Sequence, residues 1–211
     1  MTDYRIIDLE NFSRKDYYGY FMSVDTRYEM TVKIDVTQAV KKCKDEFINF
    51  YAYTIFNLVQ SANEIPNFRY GHLDGQLVEW QELVPTFTSF NQETTSFYSL
   101  WLEKLTDYQA VDREYKKLTK EYAHTTAIAP QESVPANVIN ISAIPWVHFD
   151  HFSSYSGAVK NDLTPMITIG KYERVGTQLL MPVNIKVHHA TVDEYHVSLF
   201  FKALQEHMNL E

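Results

Sequence analysis

Apolar and polar residues alternate from Thr26 to Val36, with Tyr28, Met30, Val32 and Ile34 on one face, which predicts a strand. Tyr4–Leu9, Pro85–Phe90 and the alternating run Leu179–Val187 predict further strands. The period changes after Thr37. Val40, Phe47, Phe50, Tyr51, Ile55, Leu58 and Val59 make a broad apolar stripe. That stripe predicts one long helix across a sheet, capped by Thr37, running to about Glu64 and ended by Ile65-Pro66-Asn67. A shorter helix is expected from Arg14 to about Met22, capped by Ser13. Phe68-Arg69-Tyr70 and Gln76–Trp80 flank Asp74-Gly75 and predict a hairpin. Asp107–Glu121 is charged and periodic, a largely solvated helix, and the Pro-containing stretch Thr125–Pro135 is a loop. Val197, Phe200, Phe201 and Leu204 recur at helical spacing and predict a terminal helix, for which Asp193 is a suitable N-cap.

No domain boundary, internal repeat or low-complexity tract interrupts this pattern, so the 211 residues are expected to form one domain, 1–211. Hydrophobic residues at 45% and charged residues at 22% suit a globular protein. The aromatic share of 15% favours strands and apolar pockets. A formal charge of −8 without a dense Lys/Arg run argues against a nucleic-acid surface. One cysteine, Cys43, excludes an internal disulfide framework and suits a reducing compartment. Without an apolar signal region or a membrane-length stretch, the expected location is the cytoplasm.

Candidate chemistry concentrates in Val187–Ser198, which holds three of the eight histidines where a strand gives way to a helix. Three readings compete. A histidine here is packed or superficial; or His189, Asp193 and His196 share one face and bind a metal, although the backbone changes from strand to helix within that span; or one imidazole is a general base held rigidly at a strand end. Spacing alone does not choose among them.

His188-His189-Ala190-Thr191-Val192-Asp193, followed by Tyr195-His196-Val197, resembles the HHxxxDG signature of chloramphenicol acetyltransferases and of the wider CoA-dependent acyltransferases. It departs at Thr191-Val192 and at Glu194, where that family has glycine. Other blocks follow the family's order: Asn11–Tyr18 is similar to its W-x-R-K-E-H-F segment, and Phe97-Tyr98-Ser99-Leu100-Trp101 within Thr94–Leu105 to its T-F-S-S-L-W. The hairpin is similar to its F-R, D-G-E-L-V-I-W-D block. Val138–Phe149 resembles the serine-bearing S-x-[NI]-P-W segment, and Pro165–Tyr172 the P-x-x-T-x-G-K-Y strand. Asp150–Ser154 replaces the usual F-x-x-F-N-L-N run, which puts the acceptor pocket's shape in question.

The resemblance implies an α/β (α+β) fold: a two-layer sandwich of a large mixed sheet with helices on one face. It implies a homotrimer with active sites at subunit interfaces, where one subunit supplies the histidine and its neighbour much of the acceptor pocket. The implied reaction is acetyl transfer from acetyl-CoA, with no metal, to the primary hydroxyl of chloramphenicol, an inactivation of the antibiotic. His189 would be the general base, Ser142 the oxyanion donor, and Asp193 with Arg14 an architectural ion pair. His188 would support the site without taking the proton. Phe21, Phe97, Thr168 and Tyr172 fall on substrate-contacting positions. The alternatives are a different alcohol acceptor, a trimeric binding protein that has lost catalysis through changes such as Glu194 and Ser153-Ser154, and, more distantly, a metal hydrolase.

Overall fold

The computed structural model describes residues 3–103, 106–155 and 160–209. Its elements are β1 (Tyr4–Ile6), α1 (Lys15–Val24), β2 (Arg27–Asp35), α2 (Thr37–Asp45), α3 (Phe50–Asn63), β3 (Tyr70–Leu73) and β4 (Gln76–Trp80). There follow β5 (Val84–Asn91), β6 (Ser96–Trp101), α4 (Tyr108–Glu121), β7 (Val138–Ile144), β8 (Met166–Gly170), β9 (Glu173–Val175), β10 (Gln178–His188) and α5 (Glu194–Met208). The large sheet runs β2-β10-β8-β7-β5-β6, with β9 on β10, and a small sheet runs β1-β4-β3. β10 is antiparallel to β2 and β8, β7 is parallel to β8 and β5, and β6 returns antiparallel on β5. The expected large mixed sheet is present.

Strand alternation gives this sheet two unlike faces. Phe87, Ile141, Ile167, Ile169, Val183, Ile185 and Val187 are buried in one core with Ile55, Leu58 and Val59 of α3 and Val197, Phe200 and Leu204 of α5. The intervening positions are polar: Thr86, Thr88, Asn140, Ser142, Thr168, Asn184, Lys186 and His188. A satellite cluster of Leu77, Leu163 and Ala190 packs with Phe12, Tyr18 and Phe21, and fastens α1 beside the end of β10.

Several expected boundaries move. The predicted Thr37–Glu64 helix is two helices, because Asn49 offers a better start: its side chain accepts from the Tyr51 and Ala52 N–H groups. The break leaves Phe47 at φ 57° and largely exposed, so the stripe position assigned to it does not face the core. Thr37 is the first residue of α2, with Asp35 accepting from its N–H and hydroxyl. Arg14, rather than Ser13, stands at the N-cap of α1 and gives no side-chain cap there. Pro66–Arg69 forms a 3-10 turn, so the hairpin's first strand begins at Tyr70. Its turn is as expected, with Asp74 and Gly75 both at positive φ. Of the run Thr94–Leu105, Ser96–Trp101 is strand and Leu105 lies outside the described residues. Gly170 closes β8 where a Cβ would come within 2.7 Å of Phe149 and Pro182.

Candidate active site

Two helix starts meet at the end of β10. Arg14 precedes α1 and Asp193 is the N-cap of α5. The Arg14 guanidinium donates to both Asp193 carboxylate oxygens at 2.7 Å. This fork geometry is the strongest form of such a pair. Arg14 holds the Asp193 carboxyl below its usual range, against the opposing effect of burial. The Arg14 Nε also reaches the Ala190 carbonyl at 3.5 Å, tying the guanidinium to the turn that carries the histidines. His196, at the third position of α5, accepts the Asp193 backbone N–H on its Nδ1 at 3.0 Å. Asp193 stands at the N-cap position expected from sequence, and the cap bond there is the one its backbone N–H gives the His196 ring.

His189 sits between these supports. Its backbone N–H donates to the Thr26 carbonyl at 2.9 Å. Its ring stacks on Phe21 with centroids 4.0 Å apart, and Tyr28 meets it edge-on at 5.2 Å. Its Nδ1 lies 3.2 Å from Asp193 Oδ1, a charge-pair distance without hydrogen-bond alignment. Nε2 faces the Glu194 carboxylate at 3.9 Å. Glu194 is the first residue of α5 and has no positive φ, so a glycine is not demanded there by backbone geometry. An acidic residue in a first helical turn is also favourable to the helix dipole.

His188 points to the opposite side of β10. It is fully buried, its Nδ1 accepts from the Ala190 N–H at 3.1 Å, and its Nε2 stands 3.3 Å from Asp25. Burial pushes its pKa down, partly offset by the Asp25 charge.

Ser142 lies elsewhere. It pairs with Thr168 across β7 and β8, and Thr168 is level with Asn184 on β10. Ser142 is thus two strands sideways and four residues short of the end of β10, a separation of more than about 15 Å from His189. Its hydroxyl is 3.4 Å from the Thr88 hydroxyl on β5. Both line a cavity of about 530 Å³ on the polar sheet face, with Phe97, Phe152, Met166, Thr168, Lys186 and His188. A second cavity, about 340 Å³, shares Thr88 and Phe97 and adds Phe50, Tyr51, Trp146, Lys171 and Tyr172. Phe97 is 61% exposed on the edge strand, so it is no core residue. The structure therefore brings together Arg14, Asp193, His189 and Phe21 at one place, and Ser142, Thr168 and Phe97 at another, with Tyr172 in the adjoining cavity.

The family model described as chloramphenicol acetyltransferase matches residues 2–205. The chain belongs to the chloramphenicol acetyltransferase family. Among its relatives, chloramphenicol acetyltransferase 3 of Escherichia coli is 33% identical over 208 residues, covering 98% of each chain. A chloramphenicol acetyltransferase of Staphylococcus aureus is 33% identical over 204 residues, 96% of this chain and 95% of that one. A solved chloramphenicol acetyltransferase superposes with a TM-score of 0.90 at 23% identity, covering 98% of this chain and all of that one. A 2-oxoacid dehydrogenase complex catalytic core from Thermoplasma acidophilum shares the fold at a TM-score of 0.69 and 8% identity. The family's HHxxxD block and its serine block thus lie on opposite sides of β8, with His188 reaching the Ser142 cavity and His189 turned away from it beside Phe21.

Sequence reading missed some of those surroundings. Thr88 beside Ser142, Tyr28 beside His189 and Lys186 in the larger cavity carry no motif of their own. Only strand register reveals them. The metal reading of His189, Asp193 and His196 finds no support, because Arg14 occupies both Asp193 oxygens. Among the described residues no cluster of His, Cys, Asp and Glu could hold a metal ion, and no helix is long and apolar enough to cross a membrane.

Proposed function

We propose that this protein, a single acetyltransferase domain, transfers the acetyl group of acetyl-CoA to the primary hydroxyl of chloramphenicol, and works as a homotrimer with active sites between subunits. The observation that carries the reading is the fixed His189 imidazole, stacked on Phe21 and backed by the Arg14–Asp193 pair. The distance from His189 to Ser142 within one chain supports the shared site, since base and oxyanion donor must both reach one carbonyl group. A cavity lined by Ser142, Thr168 and Phe97 then meets the His189 of a neighbouring copy.

In this reading Nε2 of His189 removes the hydroxyl proton as the oxygen attacks the thioester carbonyl. The Ser142 hydroxyl donates to the resulting oxyanion. Collapse expels the CoA thiolate, which recovers the proton from the imidazolium. Asp193 and Arg14 hold the ring's surroundings rigid and take no part in the proton transfer. The aromatic cavity with Lys171 and Tyr172 suits the apolar arm and phosphates of acetyl-CoA.

The test is thiol release from acetyl-CoA with and without chloramphenicol. Release that depends on the antibiotic and disappears in His189→Ala is the expected result. Binding of chloramphenicol without thiol release above background would overturn the enzyme reading in favour of a binding protein.

A further inference from the structure

Nε2 of His189 is the ring nitrogen turned away from Asp193, and the Glu194 carboxylate lies 3.9 Å from it. An alcohol that delivers its proton to Nε2 must lie within hydrogen-bond reach, about 2.8 Å. Its neighbouring substituents then fall beside Glu194. That carboxylate is 62% exposed at the side chain and has no Lys or Arg partner among the described residues. Asp193 differs, being fully engaged by Arg14. With Asp193 neutralised by Arg14, the Glu194 carboxylate leaves a local excess of one negative charge next to the base. Aromatic rings complete the surroundings: Phe21 is stacked on the imidazole, Tyr20 meets Phe21 at 5.1 Å, and Tyr28 meets the imidazole at 5.2 Å. A free carboxylate beside aromatic rings is the chemistry that holds an organic ammonium group.

We infer that Glu194 is a specificity-determining residue that favours amino alcohols, acceptors with a cationic ammonium group close to the hydroxyl that is acetylated. The inference rests on the acetyl-transfer reading above. A neutral amide at the same position offers the carboxylate one N–H donor but no opposite charge. The ammonium gains an ion pair, and near 4 Å even water-like screening makes that worth about a fivefold preference.

The test compares two acceptors with the same nitrophenyl propanediol skeleton: chloramphenicol, with its neutral dichloroacetamide, and the deacylated amine, which is cationic at neutral pH. kcat/KM is measured for each at low ionic strength, with the O-acetyl product identified by NMR. The quantity that decides is the ratio of amine to amide, which cancels the loss of the dichloroacetyl contacts. In Glu194→Gln this ratio should fall about fivefold or more relative to the unaltered protein, and the fall should shrink as salt is raised. Glu194→Gly is the second variant and should move the ratio in the same direction. Acetylation of chloramphenicol with a ratio unchanged in both variants overturns this inference alone. So does an unchanged ratio with a lowered trimer stability, which would assign Glu194 to a cation of the neighbouring subunit. Acetylation of neither acceptor overturns this inference and the acetyl-transfer reading together.

Discussion

The Arg14–Asp193 pair shows how one residue can matter without touching substrate. Its two parallel hydrogen bonds join the start of α1 to the start of α5, with His189 held between. Both side chains are mostly but not wholly buried, at 15% and 29% exposure. Asp193→Ala removes two charge-assisted bonds and strands the guanidinium, a loss of about 2 kcal/mol. For a chain of this length that corresponds to a fall in Tm of roughly 4–8 °C. The sign of its pH dependence follows from the lowered carboxyl pKa. The unfolded carboxyl titrates near 3.8 and the folded one lower, so the stabilisation is complete above 3.8 and drains away as pH falls through the folded value. Melting curves of the two proteins should therefore converge in acid. Equal melting temperatures at neutral pH combined with a large loss of rate would assign Asp193 to direct chemistry.

At the scale of elements, the break between α2 and α3 separates what periodicity predicts from what local chemistry decides. The apolar stripe runs through Phe47, and pattern alone makes one helix of it. Asn49 overrides the pattern by capping α3, and Phe47 takes a left-handed conformation that bulky residues adopt at a cost. Asn49→Ala should cost about 1 kcal/mol of stability. Phe47→Gly, which relieves the strained φ at an exposed position, should raise the melting temperature slightly. Destabilisation by Phe47→Gly would mean that the ring is packed against something. The remaining elements were largely legible because their periods and turn residues agree. Asp74-Gly75 marks the hairpin, Asp107 caps α4 through the Ala110 N–H, and Asp193 stands at the N-cap of α5. At the candidate site, the motif residues His189, Asp193, Arg14 and Ser142 are legible by resemblance, and so is the ion pair between Arg14 and Asp193. The proximity of Glu194 to Nε2, and of Thr88 to Ser142, is not, because these contacts depend on where a helix begins and how strands align. No sequence period encodes either.

For the whole molecule, sheet geometry makes a strong demand. With Ser142 level with Asn184 and His189 beyond the end of β10, no acceptor can touch both in one chain. Closed homo-oligomers bring the same pair of surfaces together at every interface, so each active site would draw His189 from one copy and Ser142 from the next. This arrangement predicts complementation. Ser142→Ala alone should lower turnover roughly 10²-fold, as removal of an oxyanion donor does, and His189→Ala alone should abolish it. When the two variants are co-expressed in equal amounts, an interface regains both groups if its histidine comes from the Ser142 variant and its serine from the His189 variant. Random assembly satisfies that at about one interface in four. The mixture should therefore recover about a quarter of the unaltered activity per site, far above the average of the two parents. The recovered activity should co-elute with the oligomer. Activity no higher than the parents' average in verified mixed oligomers would place both groups in one chain, and would require a rearrangement of β10 against β7 that brings His189 to Ser142.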